Sequence, residues 1–330
     1  MKTRQVGPFR VNPIGLGCMN ICPVYGPPPP EADAQRLLLT ALDEGVDFLD
    51  TAALYGFGES ERIIGKTLSS QRDRFVLASK CGLHGVDANG DGKKVRVIDG
   101  RPETIRATCE NSLRSLKTET IDLYYLHRWD KKVPIEDSVG AMSDLIQAGK
   151  IRSIGLSEVS AATLRKAYAV HPIAALQTEY SLWTRNPEIS VLDACRELGV
   201  AFVSFSPLAR KYLCGDLLDI SSLLPTDWRH TSPRFHAENY AKNLQLLDSY
   251  LQIARDIGCT PAQLAIAWVL HQAPHIVTIP GTSRIDHLKD NMGAANIQLS
   301  PDILARLDAA INHDNVSGNR YNEAVTKEVD

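Results

Sequence analysis

Four residue types in this chain, taken together, can place a proton on a carbonyl oxygen: the carboxylate of Asp50, the phenol of Tyr55, the amine of Lys80 and the imidazole of His127. Asp50 ends the apolar run Val46-Asp47-Phe48-Leu49, and Tyr55 sits in the loop that follows, before Gly58-Glu59-Ser60-Glu61 opens a helix. Lys80 follows the run Phe75 to Ser79, and His127 follows Ile121 to Leu126. Singly, each has an ordinary reading as a strand-end acceptor, a solvated lysine or a loop residue. A phenol with a reference pKa near ~10 gives up its proton poorly at neutral pH. A neighbouring ammonium favours phenolate and lowers that value, and a carboxylate paired with the ammonium keeps it charged and in place. The histidine can orient or polarise a carbonyl oxygen. Together they can protonate the oxygen of a C=O group while hydride reaches its carbon, and because side chains carry no hydride, a nicotinamide is required.

Such convergence demands neighbouring strand ends, and the chain repeats the unit that provides them. Short apolar strands are predicted near Ile14 and at Val46 to Leu49, Phe75 to Ser79, Ile121 to Leu126, Ile151 to Leu156, Ile173 to Gln177, Val200 to Phe205 and Ile276 to Ile279, with amphipathic helices between them. The helix starts are well signalled, as in Arg101-Pro102-Glu103 and Thr260-Pro261. Parallel strands need a crossover of roughly a dozen residues, usually helical. Repeated eight times over roughly 300 residues, the unit fits a closed (β/α)8 barrel, in which adjacent strand ends lie about 4.8 Å apart. No Gly-x-Gly-x-x-Gly follows the first strand, which argues against a doubly wound dinucleotide fold.

Arg4 to Asn12 is expected to form an N-terminal β-hairpin, Asn243 to Asp256 an extra helix, and Ser300-Pro301 the start of a second. Gly82 to Gly100, Ala209 to Asn239 and the polar stretch after Ile311 break the short-loop rhythm and are expected to be long loops, the first two on the catalytic face. No linker divides residues 1–330, so a single domain is expected.

The 330 residues are 44% hydrophobic and 23% charged, with a formal charge of -3, which gives no footprint for a nucleic acid or an anionic membrane. No apolar run approaches the about 18 residues of a membrane span, and the first residues lack the apolar core of a secretory signal. Cys18, Cys22, Cys81, Cys109, Cys195, Cys214 and Cys259 are scattered and never spaced as Cys-x-x-Cys, so neither a disulfide framework nor a metal site is indicated, and a reducing, cytoplasmic setting is expected. Cys81, beside Lys80, is expected to be a buried inert thiol.

The segments GVDFLDTAALYGFGESERIIGK, FVLASKCG, IDLYYLHRWD, AGKIRSIGLSE, AALQTEYSLW, VSFSPLAR and IPGTSRIDHLKDN resemble, in order and spacing, the aldo-keto reductase superfamily across nearly the whole chain. The branch they look most like is the bacterial and plant one, with Ser-Glu after the fifth strand. The resemblance implies reversible NAD(P)H-dependent carbonyl reduction by an Asp50, Tyr55, Lys80 and His127 tetrad, with Tyr55 as the general acid. It places Ser157 and Gln177 on the nicotinamide carboxamide. Glu158 stands where the family usually has Asn, keeping an acceptor and losing the amide donors. Phe205 matches the aromatic on which the nicotinamide stacks, while Ser206, Leu208 and Arg210 match the pyrophosphate turn. Gly281, Ser283, Arg284, His287 and Asn291 match the adenosine-phosphate segment, which enters a helix whose first amides favour phosphate. Many members carry Lys and Arg where this chain has Gly281 and His287. Ser283 and Arg284 remain as phosphate partners, so NADPH is expected, with NADH as a second cofactor.

The substrate is expected to be a small carbonyl compound in a pocket lined by Tyr25, Trp129, Trp228 and the polar tail. The same scaffold can instead serve as a non-enzymatic NADPH-binding regulatory subunit, like the potassium-channel beta subunits that resemble the family. The sequence leaves the oligomeric state open.

Overall fold

A computed structural model describes residues 2–23, 25–87 and 90–330. The chain opens with a hairpin of β1 (Arg4–Val6) and β2 (Phe9–Val11), then β3 (Leu16–Gly17), α1 (Glu31–Asp43), β4 (Phe48–Asp50) and α2 (Glu59–Leu68). It continues through β5 (Val76–Cys81), β6 (Leu83–Val86), β7 (Val95–Ile98), α3 (Pro102–Leu116), β8 (Ile121–Leu126), α4 (Ile135–Gln147), β9 (Ile151–Ser157) and α5 (Ala161–Val170). The second half holds β10 (Ile173–Glu179), α6 (Val191–Leu198), β11 (Ala201–Phe205), α7 (Ala237–Leu244), α8 (Leu247–Ile257), α9 (Pro261–Gln272), β12 (Ile276–Thr278), α10 (Ile285–Gly293), α11 (Pro301–Ala310) and α12 (Glu323–Thr326).

The eight-stranded sheet runs β3-β4-β5-β8-β9-β10-β11-β12 with every pair parallel. Parallel bridges from Ile14 to Thr278 and from Gly17 to Gly281 join its two edges, so the sheet closes into the expected (β/α)8 barrel. Closure removes both sheet edges. Along β8, Leu123 and Tyr125 point into the barrel while Tyr124 points to the helices, and Phe48 and Leu49 divide likewise on β4. Such strands are covered on both faces, which is why they read as unbroken apolar runs.

The hairpin plugs the end of the barrel away from the strand C-termini, packing Val6 and Val11 against Phe48, Ala175 and Val277. Its turn needs Gly7, at φ +53°, because a Cβ there would stand 2.5 Å from that of Ala174. Two expectations change in detail. Within Gly82 to Gly100, β6 and β7 pair as an antiparallel hairpin rather than an irregular loop, and the few apolar positions at Leu83, Val86, Val95, Val97 and Ile98 follow no period long enough to stand out among glycines and charges. The extra helix expected over Asn243 to Asp256 is split, α7 ending at Leu244 and α8 starting at Leu247.

Candidate active site

The strand register sets the site. Asp50 pairs with Ala78, Lys80 with Tyr125, Leu126 with Leu156, Ser157 with Gln177, and Glu179 with Phe205, so the C-terminal ends of β4, β5, β8, β9, β10 and β11 finish around one mouth.

Lys80, with none of its surface exposed, lies beneath this mouth. Its Nζ donates to Asp50 Oδ1, to the Thr51 carbonyl at 2.7 Å and to Tyr55 Oη at 3.2 Å. An ammonium has three protons, and all three are engaged. Tyr55 Oη is therefore an acceptor toward Lys80, which leaves its own O–H to point elsewhere. Asp50 Oδ2 accepts from Gln177 Nε2 at 2.7 Å, so Gln177 steadies the carboxylate that holds the lysine. The carboxamide partner that the resemblance implied for Gln177 gave no hint of this second bond. Tyr55 and His127 meet edge to face, with ring centroids 5.8 Å apart.

Burial works against charge here. It pushes the Tyr55 phenol above its ordinary value, and Lys80 acts in the expected downward direction without prevailing. Burial depresses Lys80, but Asp50 and Tyr55 outweigh it and leave the amine above its ordinary value. His127 falls well below its ordinary value through burial, then through the charges of Lys80, Arg128 and Arg96, so the ring is neutral at physiological pH. Its Nδ1 is sealed without a partner. Carrying the proton on Nε2 leaves that sealed atom a bare lone pair and gives the ring a donor toward the mouth.

A cavity of about 1450 Å³ rises from Asp50, Tyr55 and His127 and runs past Ser157, Gln177 and Phe205 to α10. Ser206, Leu208 and Arg210 line it, as do Gly281, Ser283, Arg284, His287 and Asn291, so nearly the whole predicted cofactor set is brought to one surface. The turn after β11 is strained: Ser206, Ala209, Arg210 and Lys211 all have φ between 49° and 82°. Left-handed runs of this kind turn backbone N–H groups to one side and make a cradle for anions. Gly281 lies so close to Asn20 that an added Cβ would be 2.3 Å from its Oδ1.

Two predicted residues lie off the cavity, and two that line it, Arg210 and Arg284, are already held by carboxylates. The Glu158 carboxylate turns away from the cavity, accepting from Arg320 at 2.6 and 2.9 Å and from the Glu179 amide at 3.0 Å. Its surplus acceptor answers a guanidinium on the tail, which spacing cannot reveal over 162 residues of separation. Trp129 does not line the cavity; its Nε1 donates to the Val133 carbonyl at 2.8 Å and its ring packs on the outer core. Arg284 reaches the cavity but is already paired with Asp286. Tyr25 and Trp228 do line the mouth, each under a guanidinium, Arg229 at 5.0 Å from the first ring centroid and Arg210 at 4.8 Å from the second.

The tail closes one side. Arg320 donates to Glu179 at 2.9 Å as well as to Glu158, and Arg210 takes the other side of Glu179 at 3.0 Å. Burial alone would raise Glu179, yet the guanidinium charges of Arg210, Arg320 and Arg234 hold it at about 2. Tyr321, Asn322 and Val325 then line the cavity. Cys81 is fully buried and its thiol is pushed far up by desolvation, consistent with an inert thiol.

The profile of the aldo/keto reductase family matches residues 13–312, most of the chain. A curated relative, probable aldo-keto reductase 1 of Glycine max, is 40% identical over 315 residues, covering 95% of this chain and 89% of the relative. The chain belongs to the aldo/keto reductase family. Among solved structures, the glycerol dehydrogenase of Gluconobacter oxydans superposes with a TM-score of 0.86 at 29% identity, covering 94% of each chain. An aldo/keto reductase of Klebsiella pneumoniae, solved with NADP and acetate, gives 0.71 at 28% identity over 100% of this chain and 99% of its own. As a member of this family the chain is an oxidoreductase that uses a nicotinamide cofactor, and no helix among its described residues is long and apolar enough to cross a membrane.

Proposed function

We propose that this aldo/keto reductase reduces an aldehyde or ketone to the alcohol with NADPH, Tyr55 donating the proton. The reading rests on one observation: the three protons of Lys80 are spent on Asp50, Thr51 and Tyr55, so the phenol's own hydrogen faces the cavity. A bound reduced nicotinamide supplies the hydride. As a carbonyl oxygen gains negative charge, Tyr55 releases its proton to it, and the phenolate left behind is held by the Lys80 ammonium at 3.2 Å. The neutral His127 donates a second hydrogen bond to the same oxygen and fixes its position. Asp50 and Gln177 keep Lys80 charged and immobile throughout.

The cavity suits a dinucleotide. The flat face of Phe205, the left-handed turn at Ser206 to Lys211, and the close approach of the chain at Gly281 provide an apolar platform, an anion cradle and a narrow passage in sequence along one wall. Ser283, Arg284 and the first amides of α10 are the groups that would hold an adenosine phosphate, with Asn291 beside them. Arg284 shares its charge with Asp286, so the NADPH preference over NADH is expected to be moderate rather than strict.

The test is Tyr55→Phe, assayed by NADPH oxidation over a panel of aldehydes and ketones. Turnover is expected to fall about 10²- to 10⁴-fold while NADPH affinity stays nearly unchanged. Unchanged turnover overturns the assignment of the acid, and NADPH binding with no turnover by the unmodified chain would favour the regulatory-subunit reading.

A further inference from the structure

We propose that Arg128 is a specificity-determining residue that holds an anionic group, of carboxylate geometry, on the carbonyl substrate; this deepens the reductase reading above and rests on it. Arg128 follows His127 at the end of β8, is only 8% exposed and lines the cavity beside it. Its Nη1 donates to the His127 carbonyl at 2.7 Å and to Ser157 Oγ at 3.3 Å. Its Nε is sealed without a partner, and no carboxylate among the described residues lies within ion-pair distance of it.

That is unusual within this molecule. Arg210, Arg229 and Arg320 are similarly buried, and each grips a carboxylate. Arg234 lacks one but gives Nη1 and Nε to three neutral oxygens, on Trp183, Thr184 and Gly318. Arg128 alone among them keeps a buried charge with a sealed, unanswered donor. Removing a charge from water is unfavourable unless something opposite answers it.

The candidates inside the protein are already committed. Asp50 belongs to Lys80 and Gln177, and Glu328 on the tail belongs to Arg96, which lines the same cavity. The charge of Arg128 also reaches both proton-handling groups, lowering Tyr55 and His127 alike, which places it on the side of the cavity where a carbonyl compound would react. Nη1 is committed and Nε is sealed, which leaves Nη2 as the donor open to the cavity, and a carboxylate there would neutralise the charge as well as accept its hydrogen bonds. A neutral acceptor, such as the carboxamide expected at Ser157, would fill a donor and leave the charge.

Two substrates of one skeleton separate these outcomes: 4-carboxybenzaldehyde and its methyl ester, assayed on the full chain at saturating NADPH with the unmodified protein, Arg128→Gln and Arg128→Lys. The unmodified enzyme is expected to prefer the carboxylate in kcat/KM, and Arg128→Gln to reduce that preference about 10- to 100-fold, chiefly through KM. Arg128→Lys should restore part of it, because the charge returns without the fork. NADPH affinity, followed by fluorescence quenching, should change far less. No preference in the unmodified enzyme, equal losses on both aldehydes, or a loss that lies in NADPH affinity would each overturn the assignment. Should the unmodified chain reduce neither aldehyde, calorimetric titration of benzoate into the NADP-loaded protein decides the anion site by itself: binding weakened tenfold or more in Arg128→Gln supports it, and unchanged binding overturns it, while the reductase reading fails only if the wider panel of aldehydes and ketones is inert as well.

Discussion

The Asp50, Lys80 and Tyr55 cluster and the Glu158, Glu179, Arg210 and Arg320 cluster both hold ion pairs at the same barrel mouth, yet they differ in what each leaves unfinished. In the second, two carboxylates and two guanidiniums alternate, and the tail is fastened to β9 and β10 through them. Their charges close on one another. In the first, the charges also balance, but the chain of hydrogen bonds ends on a phenol whose proton has no taker among the described residues. A saturated network holds structure in place, while a network with one open end is ready to exchange a proton with something that enters.

The comparison can be broken most severely at the open end. Tyr55→Phe should remove about 10²- to 10⁴-fold of turnover and lower stability by only about 1–3 kcal/mol, because Lys80 loses one acceptor and keeps Asp50 and Thr51. A large drop in melting temperature would show that the phenol holds the fold and that the two clusters are alike. Next in size, Glu179→Gln strands two buried guanidiniums on one carboxylate and should lower stability by about 3–5 kcal/mol in urea unfolding. A loss below about 1 kcal/mol would mean that the tail is fastened elsewhere.

The acid limb sharpens the same point. Glu179 is depressed to about 2 from an ordinary 4.5, so its contribution is whole above that ordinary value and is lost as pH falls through it toward 2. The linked stability is on the order of 3 kcal/mol, readable as a steeper fall of unfolding free energy with acid in the unmodified protein than in Glu179→Gln. Parallel curves would refute the pairing. The smallest effect is expected at Arg96→Gln. Its partner Glu328 is also on the tail, but both side chains are partly exposed, so the change should stay under about 1 kcal/mol in the same assay.

Much of this molecule was readable from spacing because barrel chemistry is repetitive. A strand buried on both faces must be apolar from end to end, so Ile121 to Leu126 and Val200 to Phe205 announce themselves, and a polar residue where such a run stops stands at the mouth. That logic located Asp50, Lys80 and His127, and Tyr55 in the loop after the first of them. The β6–β7 hairpin did not announce itself, since its few apolar residues sit among Gly90, Gly92, Lys93 and Lys94 and, Leu83 apart, are half-buried or exposed.

What the amino-acid order determined by itself is the period of the folding unit and the types of group at the strand ends, because both depend on neighbours within a few residues. Only the folded chain decided which partner each polar group found: Glu158 faces Arg320 rather than the cavity, Gln177 bonds Asp50, Trp129 turns to Val133, and Arg128 has no carboxylate among the described residues. The Glu158–Arg320 and Gln177–Asp50 pairings join residues 162 and 127 positions apart, and they depend on electrostatic energies over a few ångströms in a medium of low polarisability. Hydrophobic periodicity carries no record of such distances.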